Sequence, residues 1–274
     1  MDTMKLIIFT DLDGTLLDSN YSFEAALPAL SLIKEKGIPL VICSSKTLKE
    51  IEHYRKKLYN LNPFISENGG GVFVPKGYFG FQLSDAGFQA KDEKQYYLIR
   101  LGAEYDDLRK ALNELRTEGF SVKGFGDMTV EGISILTGLS IEEAEWAKER
   151  DFDEPFVFAG AIPEQPLLLD AIKKKGFNYT QGRFHHILGN SDKGKAVSIL
   201  TDLFKKEYNK VATIAAGDSP NDIPMLEKVD YPVIVRKRDG EYDCRINIPG
   251  LAKADGTGPE GWNKAMIALI NRLL

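Results

Sequence analysis

Cysteine is scarce in this chain: Cys43 and Cys244 are the only two, and they stand far apart. That leaves no basis for a disulfide framework or a multi-cysteine metal site. Cys43, set in the apolar run Val41-Ile42-Cys43, reads as a reduced core residue, with no histidine beside it to activate a thiolate. Apolar runs of membrane-spanning length are also missing. Met1-Asp2-Thr3-Met4-Lys5 leads straight into an apolar stretch without the profile of a signal peptide, so a cytoplasmic location is expected. Excess positive charge is lacking: 35 Lys and Arg stand against 40 Asp and Glu, a formal charge of −5. That balance argues against nucleic acid or an anionic membrane as partner. Repeats and low-complexity segments are absent from the 274 residues, which are 43% apolar and 27% charged. This is an ordinary globular composition, long enough for one large domain or two smaller ones.

Chemistry is concentrated where apolar runs end. Met4–Phe9 suits a central parallel strand, and Thr10-Asp11-Leu12-Asp13-Gly14-Thr15 comes directly after it. Functional groups of open α/β sheets gather just past the carboxyl ends of such strands. Two crowded acids there repel unless a cation neutralises them, and a hard oxygen-ligand cation such as Mg²⁺ fits. One acid can then attack an electrophile while the other handles protons. A second apolar strand ends in Cys43-Ser44-Ser45, Asn190-Ser191-Asp192-Lys193-Gly194 opens a helical segment, and Val211–Ala216 ends in Gly217-Asp218-Ser219-Pro220-Asn221-Asp222.

Two other motifs carry less. Gly189 to Lys195 matches the first seven positions of a nucleotide P-loop, but Ala196 stands where a Mg²⁺-binding Ser or Thr belongs. Gly256-Thr257-Gly258-Pro259-Glu260-Gly261 has dinucleotide-loop spacing, yet no strand is expected before it; it reads as a loop and cap for a last helix, Trp262–Leu273.

The overall fold class is α/β. Residues 1–83 read as alternating strands and helices, with helices over Leu27–Lys36 and Thr47–Lys57. Residues 84–187 change character, with helices over Tyr105–Glu118, Ser140–Lys148 and Glu164–Lys175 and short strands near Phe156–Ala159 and Phe184–Leu188. Lys148–Glu154 reads as a polar surface segment there, and Tyr96-Tyr97 as core or interface. Residues 188–274 resume the first pattern, as expected for a domain inserted into an α/β core.

Acid pair, hydroxyl, lysine and second acid pair, in this order and at strand or helix ends, resemble the four motifs of the haloacid dehalogenase-like (HAD) phosphatases. An insert between the hydroxyl and lysine motifs is similar to the Cof-like branch of sugar phosphatases. Cys43–Thr47, Glu67–Gly70, Arg150–Phe156, Gln181–His186, Gly217–Asp222 and Gly258–Trp262 resemble a subgroup acting on phosphorylated sugar acids. The resemblance implies a HAD-like Rossmannoid core, its parallel sheet flanked by helices, with an inserted α/β cap. It implies a small phosphorylated sugar acid as substrate, Mg²⁺ as cofactor, and no nucleic acid or membrane partner.

Roles carried over by the resemblance make Asp11 the nucleophile and Asp13 the acid and base. Ser44 and Lys193 would serve the transferring phosphoryl oxygens. Asp11, the Asp13 carbonyl and Asp218 would hold the metal, with Asn221 and Asp222 orienting Asp218 and Lys193. Lys46, Asn68, Gly69, Arg183 and one of the alternating pair His185 and His186, taken as His185, are expected at the substrate. Rivals are a phosphatase differing only in its sugar contacts, a broader sugar phosphatase, and a phosphomutase sharing the aspartyl-phosphate. A signalling receiver domain is disfavoured, because Asp13 supplies a hydrolytic base that a long-lived switch lacks.

Overall fold

The computed structural model describes residues 4–274. Its first part comprises β1 (Lys5–Thr10), α1 (Leu27–Glu35), β2 (Leu40–Cys43), α2 (Leu48–Lys57), β3 (Phe64–Ser66), β4 (Gly71–Pro75), β5 (Lys91–Glu93) and β6 (Tyr96–Arg100). Next come α3 (Tyr105–Thr117), β7 (Val122–Gly124), α4 (Val130–Thr137), α5 (Ile141–Lys148), β8 (Asp153–Phe158), α6 (Gln165–Lys174), β9 (Asn178–Gln181) and β10 (His185–Leu188). The chain closes with α7 (Lys193–Tyr208), β11 (Val211–Gly217), α8 (Ile223–Leu226), β12 (Tyr231–Arg236), β13 (Ala252–Thr257) and α9 (Gly258–Leu273).

The larger sheet has nine strands in the order β13-β12-β11-β1-β2-β3-β4-β6-β5. From β13 to β3 the neighbours pair in parallel, and β4, β6 and β5 add on antiparallel. Alternation of side chains splits the core into two layers. Leu6 and Ile8 face α1, α2 and α9, where Trp262 and Met266 are fully buried, while Ile7 and Phe9 face α7 and α8. Both faces are therefore dry, which is why β1 is apolar throughout. Thr47 caps α2 through a reciprocal box with Glu50, and Gly37, at φ +58°, ends the turn after α1.

A second sheet, β7-β8-β10-β9, is antiparallel throughout. Phe156 and Ile187 turn to α3 and α6, where Leu108, Leu112, Leu168 and Ile172 complete a closed core. Their sequence neighbours Val157 and His186 lie on the other face, toward α4, α5 and the larger sheet. No helix among the described residues is long and apolar enough to cross a membrane.

Three expectations need correcting. The inserted unit does not start at residue 84: β5 and β6 extend the larger sheet through β4, so the second unit begins after Arg100. Lys91-Asp92-Glu93 is an edge strand, exposed and charged, which hides its β character in the sequence. Residues 148–154 are not a surface segment, since Arg150, Phe152, Asp153 and Glu154 are all buried. Gly70 leaves no room for a side chain, because a Cβ there would stand 2.1 Å from the Phe152 Cβ. Finally, Gly256 to Gly261 is not a loop before the last helix: Gly256 and Thr257 end the half-exposed edge strand β13, and Gly258 already opens α9. Gly258 packs beneath the loop after Asp13, its Cβ position lying 3.4 Å from the Gly14 carbonyl oxygen.

Candidate active site

Strands β1 and β11 pair in register, Thr10 with Ala216, so the loops that leave the two strands emerge side by side. Asp11 donates its backbone N–H to the Ala216 carbonyl at 3.0 Å, and the chain then turns through Gly14, at φ +80°. A Cβ on Gly14 would reach the Asp218 carboxylate at 2.8 Å, so glycine lets the two acidic loops touch. Lys193, in the first turn of α7 and 1% exposed, donates to Asp11 Oδ1 at 2.6 Å and to Asp222 Oδ1 at 2.7 Å. The other oxygen of Asp222 accepts from the backbone N–H groups of Asp218 and Ser219 at 3.0 and 3.1 Å. Asp222 thus fixes both the lysine and the loop that carries Asp218.

Burial pushes Asp11 well above the usual carboxylate range; the Lys193 ammonium pulls it back, while Asp222 and Asp218 raise it further. Burial and the neighbouring Asp222 push Asp218 up to about 7. Burial works against the charged form of Lys193, but Asp11 and Asp222 outweigh it and raise its affinity for the proton. Oxygens of Asp11, Asp218 and Asp222 lie within 4.8 Å of one another. This all-oxygen set, with a single buried ammonium among three acids, fits a hard divalent metal. Both oxygens of Asp222 are engaged by Lys193 and the backbone, and one oxygen of Asp11 by Lys193.

A cleft of about 790 Å³ rises from these acids to the second sheet, and Asp13, Lys46, Arg183 and His186 line it. Lys46 is buried, 3.0 Å from Asp13 Oδ2 and 3.2 Å from Glu50 Oε1, with its ammonium 5.1 Å from the centre of the Tyr21 ring. Arg183 donates to the carbonyls of Thr137 and Leu136 at 2.8 and 3.1 Å, which pins its guanidinium at the cleft mouth. Ser44 is buried at the end of β2, where its Oγ accepts from the Lys46 N–H at 3.3 Å.

Elsewhere the structure departs from expectation. His185 does not face the cleft; it stacks on Phe156 with ring centroids 5.5 Å apart, and His186 takes the cleft side. Strand alternation forces one choice or the other, and the apolar core beneath Phe156 decides it. Gly69 makes its close approach to the chain before α7, where a Cβ would stand 2.1 Å from the Asp192 carbonyl oxygen. Asn68 lies outside the main cleft and bridges instead: its Nδ2 donates to Asp153 at 2.7 Å, and its Oδ1 accepts from Asn221 Nδ2 at 3.1 Å.

A model of the haloacid dehalogenase-like hydrolase family matches residues 8–100 and 168–241. The chain belongs to that family. Among its relatives, a "glucosyl-3-phosphoglycerate/mannosyl-3-phosphoglycerate phosphatase" of Methanococcoides burtonii is 46% identical over 98% of each chain. A "mannosyl-3-phosphoglycerate phosphatase" of Pyrococcus furiosus is 38% identical, covering 85% of this chain and 91% of that one. The fold is shared with a haloacid dehalogenase-like hydrolase from B. subtilis, at a TM-score of 0.68 and 18% identity, over 97% of this chain and all of that one.

In this hydrolase the second sheet docks on the first through buried charge that sequence inspection left without a role. Glu67 accepts from the backbone N–H groups of Asp151, Phe152 and Asp153, Arg150 donates to the Ser45 carbonyl at 2.7 Å and to Asp153, and Asp153 contacts His186 Nδ1 at 2.9 Å. The available signal was acidic residues opening a strand between Phe152 and Phe156, where a half-exposed strand would carry them outward.

Proposed function

We propose that this phosphomonoester hydrolase acts on mannosyl-3-phosphoglycerate, releasing mannosylglycerate and phosphate, with Mg²⁺ as its metal. The observation that carries the chemistry is Lys193 bridging Asp11 and Asp222 beside Asp218 on the cleft floor. The names of the relatives carry the substrate. Asp11 and Asp218 would hold the metal, which when bound screens the nucleophile from the phosphate dianion and neutralises charge on the transferring oxygens.

In the proposed sequence an Asp11 oxygen attacks phosphorus, and the bond from phosphorus to the glycerate oxygen breaks. Asp13, at the cleft wall, gives that leaving oxygen a proton. It then takes one from a water that attacks the aspartyl-phosphate, which breaks the bond to Asp11 and frees phosphate. Lys193 holds Asp11 Oδ1 in a fixed direction and supplies a buried positive charge beside the reacting oxygens. Lys46 fixes Asp13 against the cleft wall through its 3.0 Å contact. The guanidinium of Arg183 and the free edge of His186 face the space left for the sugar acid.

The Methanococcoides relative is named for both sugars, and this favours a second reading in which the glucosyl ester is accepted alongside the mannosyl one. Phosphate release with Mg²⁺ from mannosyl-3-phosphoglycerate, its glucosyl analogue, 3-phosphoglycerate, sucrose 6-phosphate and mannose 6-phosphate tests the assignment. A preference in kcat/KM for the two glycosyl-phosphoglycerates supports it. Flat activity across the panel makes this a general sugar phosphatase, and no release from any of them refutes the substrate class.

A further inference from the structure

A second cavity, of about 370 Å³, opens between β9 and the first turn of α7. Lys173, Thr180, Ser191 and Lys195 line it, together with Lys193, whose ammonium holds Asp11. Asn221 is the lining residue that this cavity and the main cleft share.

The chemistry of this rear cavity points to an anion that can also donate a hydrogen bond. Lys173, Lys193 and Lys195 line it with Asp192; the Lys193 ammonium is held by Asp11 and Asp222 and that of Lys195 by Asn190 and, at 3.8 Å, Asp192, so Lys173 is the one of the three lysines with no ion pair among the described residues. The positive end of the 16-residue helix α7 lies there too. Ser191 is 4% exposed, and its Oγ finds no hydrogen-bond partner among the described residues. Neither does Asn221 Oδ1, and a chain of amides fixes that atom as an acceptor. Asp153 can only accept, so Asn68 turns its Nδ2 to it; Asn68 Oδ1 then accepts from Asn221 Nδ2, and Asn221 Oδ1 is left over. Unpaired buried polar atoms are costly unless a ligand or water completes them. Hydrogen phosphate offers anionic oxygens to the lysines and the helix end, an acceptor for the serine hydroxyl, and one O–H for Asn221.

We propose that this rear cavity binds the inorganic phosphate freed from Asp11 and lets it leave without passing the sugar acid in the main cleft. The proposal rests on the phosphatase reading. The ion leaves as hydrogen phosphate, so no bond changes after hydrolysis; a swing of the Asn221 side chain opens the way.

The test uses the metal-loaded enzyme with beryllium fluoride on Asp11, which blocks the catalytic phosphate position, and titrates it with inorganic phosphate by calorimetry. A saturable site is expected, weakened roughly tenfold by Lys173→Glu on the solvent side and by Ser191→Val within. Thr180→Trp, which fills the cavity, is expected to lower kcat while a pre-steady-state burst of sugar acid persists, since release and not chemistry is slowed. A working phosphatase whose beryllium fluoride complex binds no phosphate, or binds it unaffected by all three substitutions, overturns this proposal alone. A chain that neither takes beryllium fluoride nor releases phosphate from any ester overturns the phosphatase reading and this proposal with it.

Discussion

Replacing Lys193 by methionine keeps the length of the side chain and removes the ammonium that sits 2.6 and 2.7 Å from two buried carboxylates. Asp11 and Asp222 are then left facing each other and Asp218 with no cation, in a site almost closed to solvent. Deleting one partner of a buried ion pair costs about 3–5 kcal/mol, on the order of a 10 °C fall in Tm for a chain of this size. The loss depends on pH in a defined direction. Burial and mutual repulsion already raise Asp11 and Asp218, the latter to about 7. Without Lys193 the native state binds more protons than the unfolded chain through that range, so stability of the variant rises as pH falls from about 8 to about 5. Turnover falls by about a hundredfold or more, because the charge beside the transferring oxygens is gone. Thermal unfolding of wild type and K193M across pH, without and with Mg²⁺, reads the first effect, and phosphate release reads the second. Partial recovery of Tm by the metal is expected, since a divalent cation replaces the lost charge. A variant as stable as wild type at pH 8 without metal would refute the electrostatic account.

Arg150→Met should cost about 3–5 kcal/mol in denaturant unfolding, because Glu67 and Asp153 lose their buried cation; KM should rise more than kcat falls, as His186 loses its fixed neighbour. Burial works to raise Asp127, but Arg109, the Gly124 N–H and Arg116 outweigh it and bring it down to about 2. Its contribution is present above the unfolded value of 3.8 and lost as pH falls through about 2. Asp127→Asn should therefore destabilise at pH 7 by about 1 kcal/mol, discounted for partial solvent exposure, and have no effect in acid unfolding near that lower value. Chelation should abolish turnover, with Mg²⁺ restoring it; activity that survives exhaustive chelation would remove the metal from the account.

The parts legible in the sequence owe that to burial on two faces. Strands β1, β2 and β11 are covered on both sides, so they read as unbroken apolar runs, and Asp11, Ser44 and Asp218 stand at or just past their ends. Edge strands leave no such mark: β5 is Lys-Asp-Glu and β13 alternates exposed Lys253 with buried Ala254, so neither carries the apolar run of a central strand. The choice between His185 and His186 needed the partner strand, because alternation says that they differ and not which one faces in. Asp153 and Glu154 looked solvent-borne, since their burial depends on Asn68 and Arg109, which meet them only in three dimensions, as well as on the nearby Arg150. The bond from Lys46 to Asp13 was hidden for the same reason: neither residue reveals the other without the parallel register of β1 and β2.

In the proposed mechanism Asp11 carries the phosphoryl group in transit. Rapid acid quench of the enzyme turning over ³²P-labelled mannosyl-3-phosphoglycerate, with peptide mapping of the product, would trap it. Hydroxylamine-labile label is expected on the peptide containing Asp11, more of it in Asp13→Asn, where hydrolysis of the intermediate is slowed, and none in Asp11→Asn. Steady turnover with no label on any peptide, or undiminished turnover by Asp11→Asn, would contradict it.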